Sequence, residues 1–176
     1  FNVAEETGRP ADEVAFVTRQ LVPVFGQPER ALKEAKTAFK FAEVTGLDPK
    51  EINDSLTATA VSFGELNAEG ARVPITFKRI ADNAIDLENR FGVQAAETVK
   101  FTADLAPLGA ELGFTPEQLQ GLGAAAQKGS GITGGALGEM FSRIFASLQE
   151  KAPDVVGVFK GAGFDDVADR LAEAYG

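Results

Sequence analysis

The chain has 176 residues, enough for one domain of ordinary size or two small lobes with a sizeable core. Its net charge of −9 disfavours phosphate backbones and anionic membrane surfaces, and no apolar run of about 18 residues is present to span a bilayer. With neither Cys nor His, it lacks disulfides, thiolate sites, the usual zinc ligands and the Ser-His and Cys-His nucleophile arrangements. Carboxylates, Lys, one Tyr and hydroxyls are the chemistry that remains. An apolar fraction of 44% argues against disorder, and its mixture of Ala, Val, Leu and Phe with nineteen Gly suits short helices packed closely. Phe1 stands first and no charged-then-apolar leader precedes it, so the chain reads as a piece processed or excised from something longer.

In chain order the apolar period is helical almost throughout. Stretches 11–24, 29–44 and 49–63 are Ala-rich with helical spacing. From Val73 the stripe runs Val73, Phe77, Ile80, Ala84, Leu87, Phe91, one face of one helix. Phe101, Leu105, Leu108 and Leu112 repeat the spacing, as do Leu137, Phe141, Ile144 and Leu148. Phe164, Val167, Leu171 and Tyr175 predict a short final helix. No stretch alternates long enough to suggest a sheet. The fold class expected is all-α: about eight or nine short helices joined by Gly/Pro turns, bundle-like or jointed. The division expected is a lobe over 1–64 and another over 65–176, or one continuous domain.

The punctuation is more informative than the helices. Gly8, Gly46 and Gly113 each end an Ala/Glu-rich helical turn, where glycine enters the left-handed region without steric cost. Asp48 and Thr115 follow as N-caps, each with proline at the first helical position (Pro49, Pro116) and with Glu51 and Gln118 placed to complete capping boxes. In the first copy Pro10 comes one place earlier, but Glu13 keeps register. Val14, Ile52 and Leu119 stand six residues past the glycines, and Gly26, Gly64 and Gly131 eighteen past. The pattern reads as an internal repeat at unequal spacing, and the prolines and glycines are expected to break every stripe within about 20 residues.

The stretch 121–138 holds seven glycines. A phosphate-cradling loop is disfavoured, because Lys128-Gly129-Ser130 lacks the required order and strand context. Close helix contact across Gly and Ala, with a hinge near 129–135, fits better than a flexible linker, since Leu119, Leu122 and Ala124 to Ala126 keep helical spacing.

Candidate acid–base carboxylates are Glu65, Glu69, Glu139 and the cluster Asp165, Asp166 and Asp169; the cluster falls in the first turns of the final helix, where negative charge complements the helix dipole. Lys33, Lys36, Lys40 and Arg30 make a small basic face interleaved with Phe39 and Phe41, read as a solvated helix face. No catalytic, cofactor or metal residues are assigned, and no enzyme activity is expected.

At the third junction the run from Arg90-Phe91-Gly92-Val93 through Leu105-Ala106-Pro107-Leu108-Gly109-Ala110-Glu111-Leu112-Gly113-Phe114-Thr115-Pro116 to Ile132-Thr133-Gly134-Gly135-Ala136-Leu137 resembles the phage tail tape-measure protein family. The likeness covers about residues 35–170, and the order of its low-complexity motifs carries it. The resemblance implies a structural virion protein around which the tail tube polymerises and which helps set tail length and supports assembly and genome ejection. It implies tail tube and tail tip proteins as partners, while the helical stripes leave self-association open and the charge and hydropathy disfavour direct nucleic-acid contact and membrane insertion of this segment. It implies residence in the virion tail, and in the host cytoplasm during assembly. A helical binding module of a cellular protein is the alternative, and a wall-degrading tail domain a further one. The frequent breaks favour a compact or jointed form over a long continuous coiled coil.

Overall fold

Gly8, Gly46 and Gly113 all adopt left-handed backbone, with φ of 62°, 70° and 84°. After each, a new helix begins three residues on. The computed structural model describes residues 3–151, which run α1 (Val3–Thr7), α2 (Ala11–Phe25), α3 (Pro28–Thr45), α4 (Pro49–Ser62), a hairpin of β1 (Glu65–Leu66) and β2 (Arg72–Val73), then α5 (Phe77–Phe91), α6 (Ala95–Glu111), α7 (Pro116–Ser130) and α8 (Gly134–Lys151). The all-α class is therefore the observed one, with eight helices among the described residues. The expected final helix at 164–175, with Asp165, Asp166 and Asp169, lies outside them.

The caps differ between copies. Thr115 and Gln118 form the full reciprocal box: Gln118 N donates to Thr115 Oγ1 (3.2 Å) and Thr115 N donates to Gln118 Oε1 (2.8 Å). At α4, Asp48 accepts from Lys50 N and Glu51 N, but the Glu51 carboxylate turns away to Lys100 of α6 at 2.7 Å. That box is one-sided because an ion pair competes for Glu51. Of the glycines eighteen residues on, Gly26 and Gly131 end α2 and α7 in left-handed backbone, whereas Gly64 leads into the hairpin with ordinary φ.

Three sequence expectations are corrected. The antiparallel hairpin pairs Glu65 with Val73 and Leu66 with Arg72; strands of two residues are too short to show any alternation. Val73 therefore belongs to β2, and the α5 stripe starts at Phe77 under a Thr76 cap. Phe91, the last member of that stripe, is 41% exposed. In α8 the inward face is Leu137, Phe141 and Phe145, while Ile144 faces out at 43% exposure, so the stripe follows steps of four. The described helices run 5–18 residues, within the expected limit, and Pro23 and Pro107 are carried inside α2 and α6. Both lie in exposed positions towards the ends of α2 and α6, where solvent can satisfy the carbonyl that a proline leaves unpaired.

Packing follows from the stripes. α2 lies on α3, α4 on α6, and α6 carries both α7 and α8. The main cluster of buried side chains extends from Val14 in α2 to Phe145 in α8 and includes Leu21, Phe39, Phe77, Phe101 and Leu119. Burying side chains of this size contributes about 1.5–3 kcal/mol each. Phe25 meets Phe77 edge-on at 5.3 Å, and Phe101 meets Phe141 likewise at 5.5 Å, so α2 locks to α5 and α6 to α8 through aromatic contacts.

Candidate functional site

Among the described residues, the carboxylates singled out in the sequence, Glu65, Glu69 and Glu139, do not converge. Glu65 opens the hairpin and pairs with Arg79 of α5 at 2.6 Å. Glu69 lies in the hairpin turn, where its N–H donates to Asn67 Oδ1. Glu139 stands on α8 and pairs with Arg143 one turn on at 3.5 Å. No group of three metal-ligating side chains occurs among the described residues. Burial, reinforced by the neighbouring Glu139, pushes the Asp104 carboxyl above its ordinary value.

The glycine-rich stretch is helical up to Ser130, breaks at Gly131 and resumes at Gly134. Two of its glycines mark close helix contacts. A Cβ on Gly123 would stand 2.8 Å from Phe101 Cε1, and one on Gly138 would stand 2.8 Å from Asp104 Oδ2. Gly109, on α6, is equally tight against Leu119 at 2.9 Å. Gly121 and Gly129 face open space. Lys128 and Ser130 serve the helix end: the Lys128 ammonium lies 5.5 Å from the Phe91 ring centroid, and Ser130 Oγ donates to Ala126 O.

Three polar devices escaped the sequence reading. Glu34, 2% exposed, accepts a hydrogen bond from Phe77 N at 2.7 Å and so caps the first residue of α5 from inside the core. Burial pushes its carboxyl up, against the lowering pull of the Phe77 N–H and of Arg30. Its signal was a charge in the apolar phase of α3, among Ala31, Ala35 and Ala38. Arg79 binds Glu117 of α7 at 2.5 Å as well as Glu65, and these bonds hold its pKa above the ordinary guanidinium value. Burial pushes the Glu117 carboxyl up, but the hydrogen bond from Arg79 and other favourable interactions outweigh it and leave it lowered. Gln120, fully buried, donates to Ile80 O at 2.9 Å and accepts from Asn83 Nδ2 at 2.6 Å. No local pattern pairs Arg79 or Gln120 with partners nearly forty residues away.

The basic face is a groove between α3 and α5. Lys33, Lys36 and Lys40 stand on one side and Lys78 and Asp82 on the other, with Phe41 and Ile85 between them and the exposed Val44 at the rim, and the space measures about 380 Å³. Phe39 and Phe41 are 1% and 3% exposed, so they belong to the core side of α3 and are not interleaved on its surface. Arg30 leaves this face to donate to Pro74 O at 2.8 Å and to lie 5.2 Å from the Phe25 ring centroid. Lys36 pairs with Glu6 and Lys78 with Asp82; Lys33 and Lys40 have no carboxylate within 4.0 Å among the described residues.

These features define an all-α packing module in which Lys36–Glu6, Arg79–Glu117 and Lys100–Glu51 tie helices together. The chain belongs to the phage-related minor tail protein family, which matches residues 2–174. No curated protein and no solved structure matches it. The family makes it a phage tail protein, and no helix among the described residues is long and apolar enough to cross a membrane.

Proposed function

We propose that this chain is a tape-measure-like segment of the tail: it helps set tail length, supports tail assembly and genome ejection, and carries out no catalysis. The observation that carries the reading is the succession of short helices stopped by left-handed glycines across the stretch that resembles tape-measure proteins, within a chain of the minor tail family. Its partners are then the tail tube and tail tip proteins, and its place is the virion tail, reached from the host cytoplasm during assembly. The engagement of Glu65 and Glu139 by arginines supports the non-catalytic part of the reading.

In-frame duplication or deletion of residues 114–133 in the parent phage tests it by electron microscopy of the tails. A segment of 20 residues that is helical in the tail changes tail length by about 30 Å, at 1.5 Å per residue. A shift of that sign, longer on duplication and shorter on deletion, is the expected result. Tails of unchanged length from both variants would refute the length-setting role.

A further inference from the structure

Helices α4 to α7 are joined by polar bonds as well as by apolar packing. Lys100 of α6 pairs with Glu51 of α4, Arg79 and Asn83 of α5 bond to Glu117 and Gln120 of α7, and Gln127 of α7 donates to Thr98 of α6. Among the described residues no hydrogen bond or ion pair joins α8 to another helix; its Glu139 and Arg143 pair with each other. It lies chiefly on α6, held by Leu137, Phe141 and Phe145, the last two against the rings of Phe101 and Phe114. Residues 131–133, which connect it to α7, lie outside any helix, with Gly131 left-handed and Ile132 exposed. One charged contact opposes docking. A Cβ on Gly138 would stand 3.0 Å from Asp104 Cβ, so the Asp104 side chain lies against the α8 backbone beside Glu139. The charges acting on Asp104 are Glu139 across the contact and Lys100 on its own helix, and none comes from α5 or α7 among the described residues. Lys100 is already held by Glu51 of α4 and by Glu97, and Arg143 by Glu139, so no uncommitted cation separates the two carboxylates.

We propose that α8 is a charge-gated arm: Leu137, Phe141 and Phe145 close it on α6, repulsion between Asp104 and Glu139 pushes it off, and it swings as one helix about residues 131–133. Release of a helix fixed by apolar contacts alone is a sub-global opening, lower in free energy than unfolding of the tied helices α4 to α7. A proton on either carboxylate relieves the repulsion, so the arm closes more firmly as pH falls. Open, it uncovers the sides of Phe101 and Phe114 against which Phe141 and Phe145 pack. The device is independent of the length-setting role.

Thiol labelling of the full chain tests the proposal, because the sequence has no Cys and a single introduced thiol reports opening without background. Leu137→Cys and Phe145→Cys place a thiol towards each end of the inner face of α8, and Leu21→Cys places one equally buried in α2. At pH 7, with rates normalised to free cysteine, the two α8 thiols should label at one common rate. That rate should be at least about tenfold faster than at position 21, which opens only with the whole fold. Asp104→Asn and Glu139→Gln should each slow labelling in α8 by about two- to fivefold, the factor expected for one solvent-screened charge pair, and leave position 21 unchanged. Combining the two should slow it little further, since either one removes the repulsion. Circular dichroism checks the fold of each reporter, and if one α8 reporter does not fold the other decides against position 21. Labelling at both α8 sites no faster than at position 21, fast labelling at 145 alone, or no response to Asp104→Asn would each overturn the proposal.

Discussion

Gly123 of α7 lies against the ring of Phe101 of α6, so close that a Cβ would stand 2.8 Å from Cε1. Phe101 is fully buried and also meets Phe141 edge-on, so its ring has nowhere to retreat. Gly123→Ala should therefore destabilise by about 1–3 kcal/mol through overpacking, although alanine is the better helix former. Gly121→Ala, two residues away and facing open space, should instead stabilise by up to about 1 kcal/mol. Denaturant unfolding of the two variants checks both signs. Equal effects would show that α7 does not approach α6 at Gly123.

Glu34 makes stability depend on pH in an unusual direction. Its folded pKa lies above the ordinary 4.5, so the native chain holds a proton over a range where the unfolded chain has released it. Its contribution therefore improves as pH falls from neutral towards 4.5 and is level below that value. Asp104 acts in the same direction and Glu117 in the opposite one, so the comparison must be differential. Glu34→Gln imitates the protonated form and keeps an acceptor for Phe77 N. The melting temperature of Glu34→Gln should exceed that of the parent most at neutral pH and converge with it near 4.5. Glu34→Ala removes the acceptor and should cost about 1–3 kcal/mol at any pH.

Arg79 joins β1 to α5 and α7 through Glu65 and Glu117. Its side chain is 39% exposed, so solvent screening limits the loss in Arg79→Ala to about 1 kcal/mol or less. The local consequence should be larger than the global one. Amide exchange over residues 65–73 and tryptic cleavage after Arg72 should both accelerate, while exchange in α2 and α3 stays unchanged. Arg79→Lys should recover little, because lysine cannot present the two-nitrogen fork that meets Glu117 through both Nε and Nη2.

Gln120 ties α7 to α5 from within the core, through Ile80 O and Asn83 Nδ2. Gln120→Leu keeps the approximate volume but leaves the Asn83 amide without this partner, at an expected cost of about 1–3 kcal/mol. Asn83→Ala made in the same chain should add less than its effect in the parent, because the bond is already gone. Strict additivity in thermal or denaturant unfolding would mean that the two amides do not communicate.

The helices and most of their ends were legible in the sequence because their causes are local. Thr115 and Gln118 cap within four residues, and Gly46 and Gly113 need only their own backbone handedness. Where local rules compete with distant groups the sequence was silent. Glu51 looked like half of a capping box, but Lys100 lies across the α4–α6 interface and claims it. The hairpin at 65–73 rests on Arg72 donating to Gly64 O and Ser62 O, a tie no periodicity announces. The lysines at 33, 36 and 40 were visible as one helix face. That Lys78 closes the other side of a groove is a fact of tertiary packing. The same holds for α8, where the choice between Ile144 and Phe145 depends on which of them reaches the rings of Phe114 and Phe141.

The joint at Gly46 has a consequence for chemical synthesis of this chain. Its φ of 70° is the whole requirement there, since a Cβ would meet nothing within 4 Å. L-alanine is strained by handedness at that site although the space is empty. D-alanine has the opposite preference, fits the same empty space, and restricts the unfolded chain more than glycine does. At this turn the chain specifies a mirror image and leaves size free, so inverting one stereocentre should firmly close a joint that natural L-residues other than glycine can only strain.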